Sequence, residues 1–267
     1  MTATAPNDLL DIRWGTTTME KTGFAARHKW DDAFWIAFVV TSWLAVAMGF
    51  VPPVMERYAG QAPYVAPPIL VAHVFVYAAW LVMLSVQVAL INRHRVEWHR
   101  RIGIGGMVLS VLVVATGLGA EIYSQRFWAQ TDPENVRFFT FPLYVLIAFG
   151  VCTTLAYRAR RTPATHKRLI YLGAAAIMSG PYQRWWGDGI DRLTGTGPFN
   201  TWAHLYTGVN VLMLASAGYD LATRGKLHPV LRIAIPILVV WQIAAVLIWY
   251  SDWWPPLVRS ALGIAAN

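Results

Sequence analysis

Seven long apolar stretches constrain this chain more than any other feature. A helix needs about 20 mostly apolar residues to cross about 30 Å of hydrocarbon. The stretches are Ala33 to Val51, Ile69 to Ile91, Ile102 to Ala120, Phe138 to Tyr157, Leu169 to Gln183, Phe199 to Tyr219 and Ile233 to Ser251. The fifth is short and holds Pro181, so it is expected to kink or end early. Backbone groups in lipid must be satisfied within the segment, and short alternating strands are absent, so the spans are read as helices rather than a barrel. The expected fold is all-α and polytopic. It has a cytoplasmic arm over residues 1–32, a seven-helix membrane domain over 33–252 and an extracytoplasmic tail over 253–267.

Composition excludes the other classes. Charged residues make up only 13% of the 267, about half of what a soluble domain carries. One cysteine, Cys152, rules out a disulfide scaffold. The net charge of +8 is not a nucleic-acid signal, because the basic residues lie in short loops between apolar runs. Of the 22 Lys and Arg, sixteen fall on one side: the arm, the second-to-third loop, the fourth-to-fifth loop, and the sixth-to-seventh loop with its helix start. Six fall on the other. The asymmetry predicts a cytoplasmic N-terminus and an extracytoplasmic C-terminus. Trp14, Phe24 and Trp30 are read as interfacial anchors of the arm, and Trp128, Trp185, Trp186, Trp253 and Trp254 as outer anchors.

The chain partly repeats itself. LINRHRVEWHRRIGIGG from Leu90 resembles LAYRARRTPATHKRLIYLG from Leu155, with His99 on His166, Arg101 on Arg168 and Gly106 on Gly173. AHVFVYAAWLVML from Ala72 resembles AHLYTGVNVLML from Ala203, with His73 on His204. A lone first helix followed by three hairpins accounts for these matches; convergence of basic loops accounts for the first of them equally well.

Four histidines then form two layers. His73 and His204 sit inside spans, each roughly 6–8 Å below the outer end of its helix. His99 and His166 each open a helix at the basic face. Ionisable residues inside spans are functional candidates by default, and neutral imidazole is a common metal ligand. Two histidines per layer on facing helices suit axial ligation of haem b. Arg184 would then pair with outer propionates, and Arg93, Arg101, Arg160 or Arg168 with inner ones. Glu121 is a candidate third ligand or proton acceptor. The competing readings stay open: His73 and His204 as interhelical hydrogen-bonding groups, His99 and His166 as lipid-phosphate contacts, and Glu121 as a solvated helix end. Gln87 and Asn210 are read as interhelical bonding groups, Asp220 as an interfacial partner of Arg224, and His94 and His228 as interface residues. GPYQRWWGDG from Gly180 is read as an aromatic belt or the lining of an outer pocket for a quinone head.

Soluble catalytic signatures are missing, so the sequence assigns no enzyme activity. The pieces AHVFVYAAWLVMLSVQVALINRHRVEWHRRIG, YRARRTPATHKRLIYLG and GYDLATRGKLHP resemble a bacterial family of uncharacterised multi-spanning membrane proteins. That resemblance implies a bacterial inner-membrane protein and no activity. A looser likeness is to di-haem transmembrane b-type cytochromes. The leading expectation is a membrane redox protein binding one or two b haems, first at His73 and His204, and carrying electrons between a quinol or outer reductant and a partner subunit. A transporter, or a non-catalytic subunit or assembly factor of a larger complex, is the alternative.

Overall fold

The computed structural model describes residues 24–265. Most of the arm expected to be cytoplasmic, residues 1–23 with Trp14, lies outside the described residues. The described chain is all-helical: α1 (Asp31–Tyr58), α2 (Pro68–Asn92), α3 (Val96–Trp128), a 3-10 turn (Pro133–Phe139), α4 (Thr140–Arg158), α5 (Pro163–Ile177), α6 (Ser179–Thr194), α7 (Pro198–Arg224), α8 (Pro229–Trp249) and α9 (Trp254–Leu262). Proline opens α2, α5, α7 and α8, where its missing N–H costs nothing.

Five helical segments are long and apolar enough to cross a membrane: α1, α2, α3, the 3-10 turn continued by α4, and α8. Their outward faces are greasy, with Ile36, Val40, Val74, Phe75, Val108, Val111, Ile237 and Val240 all exposed. Contiguous apolar exposure on this scale points to a lipid surround. The fifth expected span differs. It divides at Met178 into α5 and α6, and α6 runs on past Gln183 to Thr194. The Met178 amide still bonds to the carbonyls of Ala174 and Ala175. Pro181, with no N–H to give, follows three residues later. Segment 253–267, expected as a tail, contains α9. That helix is pinned to the 3-10 turn by Arg259, which donates to the Pro133 carbonyl at 2.6 Å.

Helix α5 forms the centre. Leu169 and every residue from Tyr171 to Ile177 are buried. Its run Gly173-Ala174-Ala175-Ala176 lets α4 approach closely, and a Cβ at Gly173 would lie 3.2 Å from the Cβ of Cys152. Single polar handles tie the other helices together. Trp43 donates to Ser85 at 3.0 Å, Trp80 to Ser110 at 3.2 Å, and Tyr171 to the Leu212 carbonyl at 3.0 Å. Gln242 on α8 donates to Tyr144 on α4 at 3.1 Å and to Asn210 on α7 at 3.0 Å. Asn210 is therefore an interhelical bonding group, as expected.

Two glycines set how near α6 comes to its neighbours. A Cβ at Gly49 of α1 would lie 2.4 Å from the Pro181 carbonyl oxygen, and one at Gly208 of α7 would lie 2.2 Å from the Tyr182 Cβ. Both obstacles are backbone or backbone-proximal and cannot swing away. Gly208→Ala is therefore expected to destabilise the bundle by about 1–3 kcal/mol. Gly218→Ala, also on α7 but with open space around it, should be neutral or slightly stabilising, because alanine restrains the unfolded chain. Denaturation of the two variants in mild detergent checks the contrast.

Candidate functional site

At one end of the bundle lie the start of α1, the α4–α5 and α7–α8 loops, and the α2–α3 loop that reaches Arg27. The buried charges at this basic end are paired internally. Arg168 donates through Nε to Asp220 at 2.8 Å and forms a second, shorter bond through its terminal nitrogen. Both side chains are almost wholly buried. Asp220 also accepts from the His228 backbone amide at 3.2 Å. Asp31 takes Lys167 at 2.8 Å, the Tyr219 hydroxyl at 2.7 Å and Arg224 at 3.0 Å. Arg224, the expected partner of Asp220, stands 3.8 Å from it and serves Asp31 more closely. Arg168 is thus committed to a structural ion pair.

Two residues at this end depart from the interfacial reading. Phe24 is buried, edge-on to His228 with ring centres 4.8 Å apart, and the guanidinium of Arg168 lies 5.1 Å over it. His228 is buried too, and its Nδ1 caps α8 by accepting from the Val230 amide at 3.1 Å. Burial first, then the positive charge of Arg168, lowers the His228 pKa from 6.5 to about 4.

Next to this network, His99 of α3 and His166 of α5 come together. Their ring centres are 6.2 Å apart and the planes perpendicular. Each ring is held from behind. His166 Nδ1 donates to the Ala156 carbonyl at 2.8 Å, which leaves the Nε2 lone pair free of its own proton. The Gln87 amide, with its nitrogen toward the acceptors, lies 2.5 Å from His99 Nδ1 and donates to the His99 carbonyl at 3.2 Å; its oxygen accepts from the Gly103 amide at 3.1 Å. Gln87 is thus an interhelical bonding group, joining α2 to α3, and its partner is a candidate ligand.

The other predicted pair has separate neighbours. His204 Nδ1 lies 2.9 Å from Asp191, and its ring lies over Gly187, whose Cβ would come within 2.5 Å of it. Asp191 also accepts from the Asn200 amide at 2.8 Å. His73 instead lies against Tyr77, ring centres 4.2 Å apart and planes tilted by 44°, and among the described residues its Nδ1 has no hydrogen-bond partner. Arg184 and Glu121, two further predicted site residues, fall within electrostatic reach of each other, and Arg184 also within reach of His73. Glu121 accepts from Gln125 at 2.6 Å and is not a solvated helix end. Among the described residues, no group of three or more His, Cys, Asp or Glu side chains is arranged to hold a metal ion by itself. The chain matches no protein-family model, no curated protein and no solved structure.

Two outcomes follow for the basic end. Asp220→Asn strips Arg168 of its counter-charge in a buried site and should cost about 3–5 kcal/mol, measured by detergent unfolding. For His228 the fold favours neutral imidazole. Its contribution to stability is complete above pH 6.5, declines as pH falls from 6.5 toward 4, and levels off below that. Thermal unfolding against pH should show this slope in the native chain and lose it in His228→Gln.

Proposed function

We propose that the chain is a seven-pass bacterial inner-membrane redox protein that holds a b-type haem between His99 and His166. The observation that carries the reading is the spacing of the two imidazoles. With a metal–nitrogen bond of about 2 Å, two imidazoles bound on opposite sides of one ion have ring centres about 6 Å apart, and the two rings stand at 6.2 Å. A direct imidazole–imidazole hydrogen bond would draw them nearer.

The outer-shell partners support the same assignment. Ligating histidines usually give their second nitrogen to a carbonyl, carboxylate or other acceptor, which fixes ring orientation. The Ala156 carbonyl does this for His166. Gln87 fixes the orientation of the His99 ring from α2, bonding at its Nδ1 side and to its own carbonyl. Bound haem would supply one-electron chemistry at the basic end. The chain's task is to present two neutral imidazoles, hold them apart and shelter them among helices. Arg93 and Arg100 stay exposed beside the site and suit propionates better than Arg168, which Asp220 already occupies. Helices α5–α6 and α7, added to the five apolar segments, complete seven passes, with the basic end cytoplasmic by its excess of Lys and Arg.

Absorbance of the detergent-purified protein, expressed with haem supply, tests this. A Soret band that shifts on dithionite is expected, and it should vanish in His99→Ala and in His166→Ala. Gln87→Leu should retain haem about 10–100-fold less tightly. A haem-supplied native protein with no Soret band would overturn the reading.

A further inference from the structure

The joint between α7 and α8 carries a separate group of charges, and these face outward. Phe24, Lys226, Leu227, Pro229 and Arg232 line a cleft of about 440 Å³ at the basic end, open to the surface. Lys226 and Arg232 are exposed, and among the described residues neither belongs to a salt bridge. The described lining holds no carboxylate. The acids of the neighbouring network are already committed, Asp220 to Arg168 and Asp31 to Lys167 and Arg224. The Lys226 ammonium lies 5.2 Å over the Phe24 ring, which brings the α7–α8 loop against the segment before α1.

The cleft stands at the head of a greasy lane. Ile233, Ile237, Val240 and Leu247 of α8 are all exposed, and their spacing puts them along one side of the helix. The stripe begins at the residue after Arg232 and runs for about 21 Å. The N-terminus of α8 adds partial positive charge to the cleft. Its first amides, however, are already used. Pro229 has none, the Val230 amide goes to His228 Nδ1, and those of Leu231 and Arg232 go to the His228 carbonyl. An anion here meets side-chain charges rather than a backbone cradle. A small free anion needs such a cradle; a headgroup tethered by its own acyl chains does not. We infer that the cleft binds an anionic phospholipid of the leaflet at the basic end, with Lys226 and Arg232 on the phosphodiester and an acyl chain along Ile233, Ile237 and Val240. The assignment is independent of the haem reading.

Native mass spectrometry of the full chain in mild detergent, titrated with phosphatidylglycerol or with zwitterionic phosphatidylcholine of the same acyl chains, tests it. The native chain should hold phosphatidylglycerol the more tightly. A basic residue near an anionic lipid surface is worth about fivefold, so the double variant Lys226→Gln, Arg232→Gln should bind phosphatidylglycerol about 25-fold more weakly. Its binding of phosphatidylcholine should not change. Both side chains are exposed, so the double variant should keep the native unfolding temperature. Arg161→Gln removes an exposed charge of the α4–α5 loop outside the cleft and should bind as the native chain does. Equal retention of the two lipids by the native chain would overturn the inference, as would undiminished phosphatidylglycerol binding by the double variant. An equal loss in Arg161→Gln would reduce the effect to general surface charge. Displacement of phosphatidylglycerol by millimolar inorganic phosphate at fixed ionic strength would give the cleft to a free anion instead.

Discussion

The buried pair of Arg168 and Asp220 is the constraint on which the basic end depends. A guanidinium with almost no solvent access must have its counter-charge, and removing either partner is far worse than never having had the pair. Asp220 sits at the end of α7 and also receives the amide of His228, which caps α8. Arg168 therefore fixes the entry of α5 against the exit of α7 and the start of α8. His166 stands two residues earlier on the same helix. Its ring cannot be aimed at His99 unless α5 enters the bundle at this level. Asp31 repeats the device, joining α1 to α5 and α7 through Lys167, Tyr219 and Arg224.

Much of the architecture was legible because lipid allows few choices. Uninterrupted apolar runs near 20 residues can only be helices there, and the runs at Ala33–Val51, Ile69–Ile91, Ile102–Ala120 and Ile233–Ser251 each fall on one helix, although α1 and α3 extend well beyond theirs. Pro181 correctly flagged trouble in the fifth run. What it could not reveal was that the chain resumes as α6, because GPYQRWWGDG is too polar to look like the remainder of a crossing. That polarity is explained by its neighbours: Gly187 receives the His204 ring, Asp191 its Nδ1, and Arg184 the company of Glu121.

The site was legible only in part. Alignment of the two basic loops put His99 and His166 at equivalent positions, and the fold brings their ring centres to 6.2 Å. Similar depth gave no sign of their immediate neighbours, Tyr77 for His73 and Asp191 for His204. Depth fixes position along a helix and says nothing of rotation about it. In a lipid-bathed helix the outward face is as apolar as the inward one, so no hydrophobic stripe tells which neighbour a side chain addresses. The aromatic character of Phe24 misled for a related reason: an aromatic near a membrane end suits the interface or a lid over buried charge equally well, and here it covers Arg168.

Shared ownership of the imidazole pair has a further consequence. One ring belongs to the α2–α3 hairpin and its counterpart to α4–α5, and the only covalent link between the hairpins is the stretch from Ala129 through the 3-10 turn. A nick in that stretch would leave two fragments, each carrying half a grip and neither able to close it alone. The geometry is thus a property of how the halves dock, and its presence would report correct assembly of the whole bundle.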